Sequence, residues 1–540
     1  MLRRCVAWHS GIVARWRRGN AETLHGLTAW FDSRSGLHIL CLLPEQSASK
    51  RLRTQYRVAL RTTLNQILGT VFAYWMKEPK YRLWHVPIHN KSKRPSMIVS
   101  RKPRWRSWLG TSIFLTLARV AGAGAGFLTQ IFLVHVLSTH ELGIFYAANS
   151  VAVVASVFAS GGFPGITQRL VTRYRERARP SFLAAFVRHV QVSTSATTLL
   201  IGCVLLVIIL FWPAIVDMRL AFAASVFTMG AMAALNINLA LAAAESRFDI
   251  ALLPETFVRP LVFLSAVALV ALMGASISAG QASSLYAAVT AFVAVAQYIM
   301  LRPYLPLRYS GSIAKSLTRK WRQEATPLIL VALFTNLYAD ISIFLAAPFM
   351  ALSDIAVFGI CVKLSMLVGF VVQVSQQVAL PDLALAHERG DKMLQRRVIL
   401  RAALLPSLVT LAATFLVLLW GDLVLGVFSS EFSSAKWTLA IMTGAQFVRA
   451  IAGPNVSMLS LTGAQRLNST ICSGACAMLL IANIVLIPYY GLFGAAVAMS
   501  CSYIAWSITV SALLWAKYGV RTDLLACMRR RSEHLSLRTA

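Results

Sequence analysis

The sequence has 540 residues, 57% hydrophobic and 13% charged, with a mean hydropathy of +0.65 and a formal net charge of +32. A soluble domain carries about 25% charged residues, so the long apolar runs here exclude a soluble core, and the composition excludes disorder, collagen and a disulfide scaffold. An all-α polytopic membrane protein remains.

Residues 1–110 hold 21 Lys or Arg, four Asp or Glu and seven of the 13 Trp, with no apolar run near the roughly 20 residues of a membrane span. The basic start lacks the apolar core and cleavage site of a signal peptide, and fits a transit peptide only loosely. No nucleic-acid-binding motif is present. Met97 is followed by Ile98, Val99 and the basic stretch from Arg101 to Arg106, directly ahead of the first apolar span. Residues 1–96 therefore read as an upstream extension before a start at Met97, or as a basic cytoplasmic tail.

Twelve spans follow, at about 112–137, 143–164, 191–212, 220–244, 251–273, 281–302, 327–347, 355–380, 399–420, 436–460, 468–488 and 491–515. Each is long enough to cross about 30 Å of hydrocarbon. Counted over 165–181, 245–250, 303–326, 381–398 and 461–467, the even-numbered loops carry 16 basic residues, among them Arg169, Arg173, Arg175, Arg177 and Arg179 after span two and Arg389, Lys392, Arg396 and Arg397 after span eight. The odd-numbered loops carry two, Arg219 and Lys436. The positive-inside rule then places both termini in the cytoplasm. The charge marks topology and contact with anionic lipids, and no nucleic acid is needed to explain it.

The order of elements hints at a repeat. Glu141-Leu-Gly-Ile-Phe opens span two as Asp354-Ile-Ala-Val-Phe opens span eight, and both spans lead to a proline and a basic loop. The expected domains are a basic extension (1–110), an N-lobe of spans one to six (111–302), a basic connection (303–326), a C-lobe of spans seven to twelve (327–516) and a basic tail (517–540). Paired six-helix lobes around a central cavity are a common plan for transporters.

Four stretches carry a family resemblance: ARVAGAGAGFLTQIFLVHVLSTHELGIF, WRQEATPLILVALFTNLYADISIFLAAPF, VFGICVKLSMLVGF with VALPDLALAHERGD, and IAGPNVSMLSLTGAQRLN with IPYYGLFGAAVAMSCSY. Over about residues 111–516 the chain resembles the polysaccharide-export and O-antigen flippases of the multidrug/oligosaccharidyl-lipid/polysaccharide exporter superfamily. The resemblance implies translocation of a lipid-pyrophosphate-linked oligosaccharide from the inner to the outer leaflet of a bacterial inner membrane by alternating access. Polysaccharide polymerase machinery is an implied partner. Other readings are a drug/cation antiporter of the same superfamily or, less favoured, a membrane-embedded polymerase or transferase. The antiporter should show acids in its cavity, whereas bases are in excess here. The enzyme should show a large outer loop, whereas the longest, about 421–435, holds only Asp422 and Glu431.

Each charge within a span costs roughly 2.5–3.5 kcal/mol on insertion scales and so asks for a role. Arg119 in span one either snorkels or binds an anion, and its A-R-V-A-G setting resembles that of related flippases. Lys363 and Arg449 lie deeper, and with Arg119 they suggest a cationic path for pyrophosphate. Asp340 either neutralises Lys363 or Arg449, or binds the H⁺ or Na⁺ that drives transport. Glu255 and Arg259 are spaced as an i, i+4 intrahelical pair, with Pro254 and Pro260 able to kink that helix. Gln373, Gln376 and Gln377 suit sugar hydroxyls or interhelical hydrogen bonds equally. Gly122, Gly124 and Gly126 suit close helix packing or a flexible point. No Walker loop, G-x-S-x-G or H-E-x-x-H is present, and neither the eight Cys nor His135 and His140 form a metal pattern. No cofactor is expected beyond a coupling ion.

Overall fold

The computed structural model describes residues 105–273, 277–305, 311 and 314–524, with side chains from Leu117 onward. The expected basic extension up to residue 104, and residues 525–540 of the tail, lie outside the described residues. Among the described residues the chain forms sixteen α-helices and no strand.

The N-terminal half holds α1 (Trp105–Val136), α2 (Thr139–Ala159), α3 (Pro164–Glu176), α4 (Pro180–Phe211), α5 (Arg219–Ala244), α6 (Phe248–Leu253), α7 (Arg259–Leu272) and α8 (Ala279–Leu301). The connection contains α9 (Lys315–Ala325). The C-terminal half holds α10 (Pro327–Asn336), α11 (Tyr338–Ala346), α12 (Leu352–Glu388), α13 (Lys392–Gly426), α14 (Lys436–Ala452), α15 (Asn455–Leu461) and α16 (Gln465–Tyr518).

Local chemistry sets the starts. Ser138 accepts from the Glu141 N–H at 3.3 Å ahead of α2, Ser278 and Gln281 form a capping box at α8, and Asp391 accepts from the Met393 and Leu394 N–H groups at 3.0 and 2.9 Å. Each such cap contributes about 1 kcal/mol. Pro164, Pro180 and Pro327 open their helices, where the missing N–H costs nothing.

Nine helical stretches among the described residues are long and apolar enough to cross a membrane, or ten with the bent pair α9–α10 and α11 included. The difference from the expected twelve arises in two places. Helix α14 has only 17 residues, and α16 runs through both of the last two expected spans. Within α16, Gly491 breaks the helical path at φ 51° and ψ −129°, just after Pro488. Helices also outrun the apolar runs: α12 continues through Pro381 to Glu388, into what reads as loop eight. Apolar length measures hydrocarbon thickness, whereas helical hydrogen bonding continues into the interface.

Expected span seven is broken. α10 ends at Asn336, Leu337 takes φ −120° and ψ 28°, and the two segments meet at 90°. The fifth span contains a π-turn, Pro254–Val258, between α6 and α7. Here the backbone of α1 approaches so closely that a Cβ on Gly122 would lie 1.6 Å from the Thr256 carbonyl oxygen. Gly124 and Gly126 have open space instead, so close packing explains one of the three glycines.

The halves meet where α2 crosses α11 and α12. Glu141 and Asp354 each lie in the first turn of their helix. Tyr146 and Gly359 lie equally far beyond these acids and pack on each other, and a Cβ on Gly359 would lie 2.4 Å from the Tyr146 ring. At the end poor in basic residues, Thr139 donates to Glu431 at 2.6 Å and Phe127 packs edge-on against Phe428. Trp212 and Trp437 at helix ends, Trp420 at the kink of α13, and Tyr489 and Tyr490 just before the Gly491 break of α16 are all exposed, as residues of an aromatic belt are. At the basic end, Trp321 of α9 is buried against Phe186 and donates to the Tyr174 hydroxyl at 3.0 Å, while Glu324 pairs with Arg169 at 2.6 Å. Glu245 pairs there with Arg175; burial pushes its carboxyl up despite the pull of the guanidinium.

Candidate functional site

The site begins at the break in span seven. Tyr338, the first residue of α11, donates to the Met499 carbonyl and lies 3.0 Å from the Ser502 hydroxyl of α16. Its ring stacks on Tyr503 at 4.3 Å and 16°, and Tyr503 stacks on Trp506 at 5.6 Å and 12°. Phe334 closes the group at 4.9 Å from Tyr338. Such pairs contribute about 0.5–1.5 kcal/mol each beyond burial. This ladder fixes the first turn of α11, and with it Asp340.

Asp340 accepts from the Lys363 ammonium of α12 at 3.2 Å, and the two side chains keep 16% and 31% of their surface. The expected neutralisation therefore falls on Lys363 and not on Arg449. Arg449 of α14 instead lies 5.5 Å over the Tyr503 ring. Asn336, one turn before Asp340, is exposed at the break.

The opposite half supplies a parallel arrangement. Arg259, at the start of α7, lies 6.0 Å over Tyr286 of α8. Tyr286 packs edge-on against Phe263 at 4.9 Å and Phe145 at 6.1 Å, and Phe145 and Phe263 lie nearly parallel at 6.3 Å. Arg259 is within electrostatic reach of Glu255 and of Asp340 across the boundary between halves. The expected Glu255–Arg259 ion pair is absent: the two make no contact within 4 Å. The π-turn is the reason, because the Arg259 N–H bonds to the Pro254 carbonyl, five residues back, and the α-helical i, i+4 register is lost.

Arg119, half-buried on α1, donates to Gln377 of α12. This joins the halves at a point 14 residues along α12 from Lys363, about 21 Å at 1.5 Å per residue. Gln376 donates to the Gly453 carbonyl at 3.1 Å, where α14 ends. Gln373 is exposed. The glutamine patch is thus divided: one amide holds a cation, one holds a chain break, and one is open. Among the described residues no carboxylate lies within 4 Å of Arg119, Arg259 or Arg449.

The structure brings Asp340 to Lys363 and Arg119 to Gln377, and leaves Arg449 apart on its tyrosine. Sequence reasoning missed Tyr286 and Tyr503. Their one visible signal was a tyrosine inside the last apolar span of each half.

The sequence profile of the family described as "Polysaccharide biosynthesis protein" matches residues 109–387. A comparison with curated proteins finds no match. Among solved structures, the chain is similar to a multidrug resistance MATE family transporter of the MOP superfamily in an inward-facing conformation. The TM-score is 0.56 at 12% identity, covering 76% of this chain and 99% of that one. It is likewise similar to the lipid II flippase MurJ in an inward closed conformation, with a TM-score of 0.57 at 12% identity, covering 75% of this chain and 87% of that one. These structures share its fold, an all-α polytopic membrane architecture. With more than half of its length matched, the chain belongs to the polysaccharide biosynthesis protein family.

Proposed function

We propose that this chain is a flippase that moves a lipid-pyrophosphate-linked oligosaccharide from the inner to the outer leaflet of a bacterial inner membrane. It works by alternating access and serves export of O-antigen, capsule or exopolysaccharide. Both termini lie in the cytoplasm, on the side of the basic loops, and the halves rock about the α2–α12 contact.

One observation carries the reading. The spans hold more cations than carboxylates, and Arg119, Arg259 and Arg449 are held by an amide or an aromatic face, with no acid in contact. A cation–π contact contributes about 0.5–2 kcal/mol and leaves the guanidinium donors free for phosphate oxygens. Such a path lowers the cost of carrying a doubly charged headgroup through hydrocarbon. A carrier of cations needs the reverse polarity. Asp340 is the carboxylate placed to couple the cycle to H⁺ or Na⁺.

The test is a strain lacking the protein. Lipid-linked oligosaccharide is expected to accumulate in the cytoplasmic leaflet while surface polysaccharide disappears. Re-expression of the whole chain, or of a chain starting at Met97, restores export, and Arg119→Gln, Lys363→Gln or Arg449→Gln does so poorly. Normal surface polysaccharide without leaflet imbalance would move the reading to the drug/cation antiporter.

A further inference from the structure

We propose that Asp340 is a built-in stand-in for the substrate's phosphate: it neutralises Lys363 in the empty carrier and is displaced when a diphosphate arrives. The inference rests on the flippase reading and deepens it.

Four observations converge. First, the Asp340–Lys363 contact is a single one, through one carboxylate oxygen at 3.2 Å. An ammonium has three donors, so the pair is only partly satisfied. Second, both side chains are partly open, at 16% and 31%, so a ligand reaches the pair without dismantling the core. Third, Asp340 lies in the first turn of α11, directly after the 90° break in its span. A helix N-terminus stabilises a carboxylate by about 0.3–1 kcal/mol, so Asp340 keeps partial compensation after it leaves Lys363. Fourth, Arg259 comes from the other half, lies 6.0 Å over the Tyr286 ring and has no carboxylate in contact, so its donors are open to a phosphate.

A diphosphate competes well for such a place. It carries more charge than a carboxylate and offers an arginine two oxygens at once. Asp340 solves the complementary problem. A cation left half-buried without a counter-charge is costly, and an empty carrier must return without its anionic cargo. With Asp340 back on Lys363, the empty site is compensated, and the returning carboxylate helps expel the headgroup. Affinity is held down so that turnover is possible.

The prediction is therefore a split of signs. With purified full-length protein and inorganic pyrophosphate as the probe, measured by calorimetry, Asp340→Asn is expected to bind about tenfold tighter than the wild type, since a like charge near the ligand is gone. The same variant is expected to lower the rate of lipid-linked oligosaccharide export, and Asp340→Glu is expected to restore both values. Asp340→Ser, which is smaller, guards against a folding defect peculiar to the amide. Lys363→Gln should weaken pyrophosphate binding whether or not Asp340 is present. If binding depends on Lys363 but does not tighten in Asp340→Asn or Asp340→Ser, the stand-in is refuted and the cationic site survives. Pyrophosphate binding that is absent, or indifferent to Lys363→Gln, overturns the stand-in and the cationic site together.

Discussion

In the N-terminal half, Arg259 lies over Tyr286, a half-buried ring touched edge-on by Phe263 and Phe145. In the C-terminal half, Arg449 lies over Tyr503, which is 5% exposed and stacked face to face between Tyr338 and Trp506. The two tyrosines occupy the last expected span of each half. Each half therefore carries a cation–ring contact, built on a different support. The C-terminal support is a rigid ladder that also fixes the Asp340 turn. The N-terminal support is a triangle of edge-on rings beside a π-turn. One side reads as a fixed platform and the other as the side that adjusts.

The largest expected effect tests the ladder. Tyr503→Ala removes a buried ring from between two others and should cost about 3–5 kcal/mol. Tyr286→Ala, at a half-buried site, should cost about 2 kcal/mol or less. Thermal unfolding of both purified variants in one detergent checks the ranking. Equal losses would mean that the N-terminal triangle is as rigid as the ladder.

Much of this architecture was legible in the sequence. Apolar length exposed the membrane-crossing helices, although nine, or ten with the bent pair, stand apart among the described residues where twelve were expected. The sequence offered Lys363 or Arg449 as a partner for Asp340, since opposite charges in hydrocarbon have few other partners, and the structure selects Lys363. The break after Asn336 was not, since nothing in PLILVALFTNLYADISIF forbids a continuous helix; tertiary bonds from Tyr338 to α16 hold the bend. The cation–ring contacts were hidden for a similar reason. They join residues far apart in the chain, and no spacing rule reports them. Helix ends were misplaced wherever the hydrogen-bonded helix continues past the apolar run, as at Pro381.

A medium effect sharpens the difference in charge. Lys363→Met leaves Asp340 without its contact, and should cost about 2 kcal/mol, below the roughly 3–5 of fully buried pairs because Lys363 keeps 31% of its surface. Arg259→Met removes a cation with no acid in contact and should cost about 0.5–1 kcal/mol, the loss of its contact with the half-buried Tyr286 ring. Oligosaccharide export should fall in both variants. An Arg259→Met protein as unstable as Lys363→Met would show that Arg259 is a second structural partner of Asp340, and the halves would then be alike.

The smallest effect belongs to Glu255, where the local pattern was most persuasive and the structure departs from it. An i, i+4 acid–base pair presupposes the α register. Pro254 opens a π-turn, the Arg259 N–H reaches back five residues, and the Thr256 carbonyl is pressed against Gly122 of α1. Those backbone constraints hold Arg259 over Tyr286, and Glu255 acts on it only at a distance. Glu255→Gln should therefore shift stability by less than about 0.5 kcal/mol, whereas Gly122→Ala, whose Cβ has no room, should cost roughly 1–3 kcal/mol. A Glu255→Gln loss as large as that of Gly122→Ala would show that the carboxylate, and not the packing of α1 on the π-turn, positions Arg259.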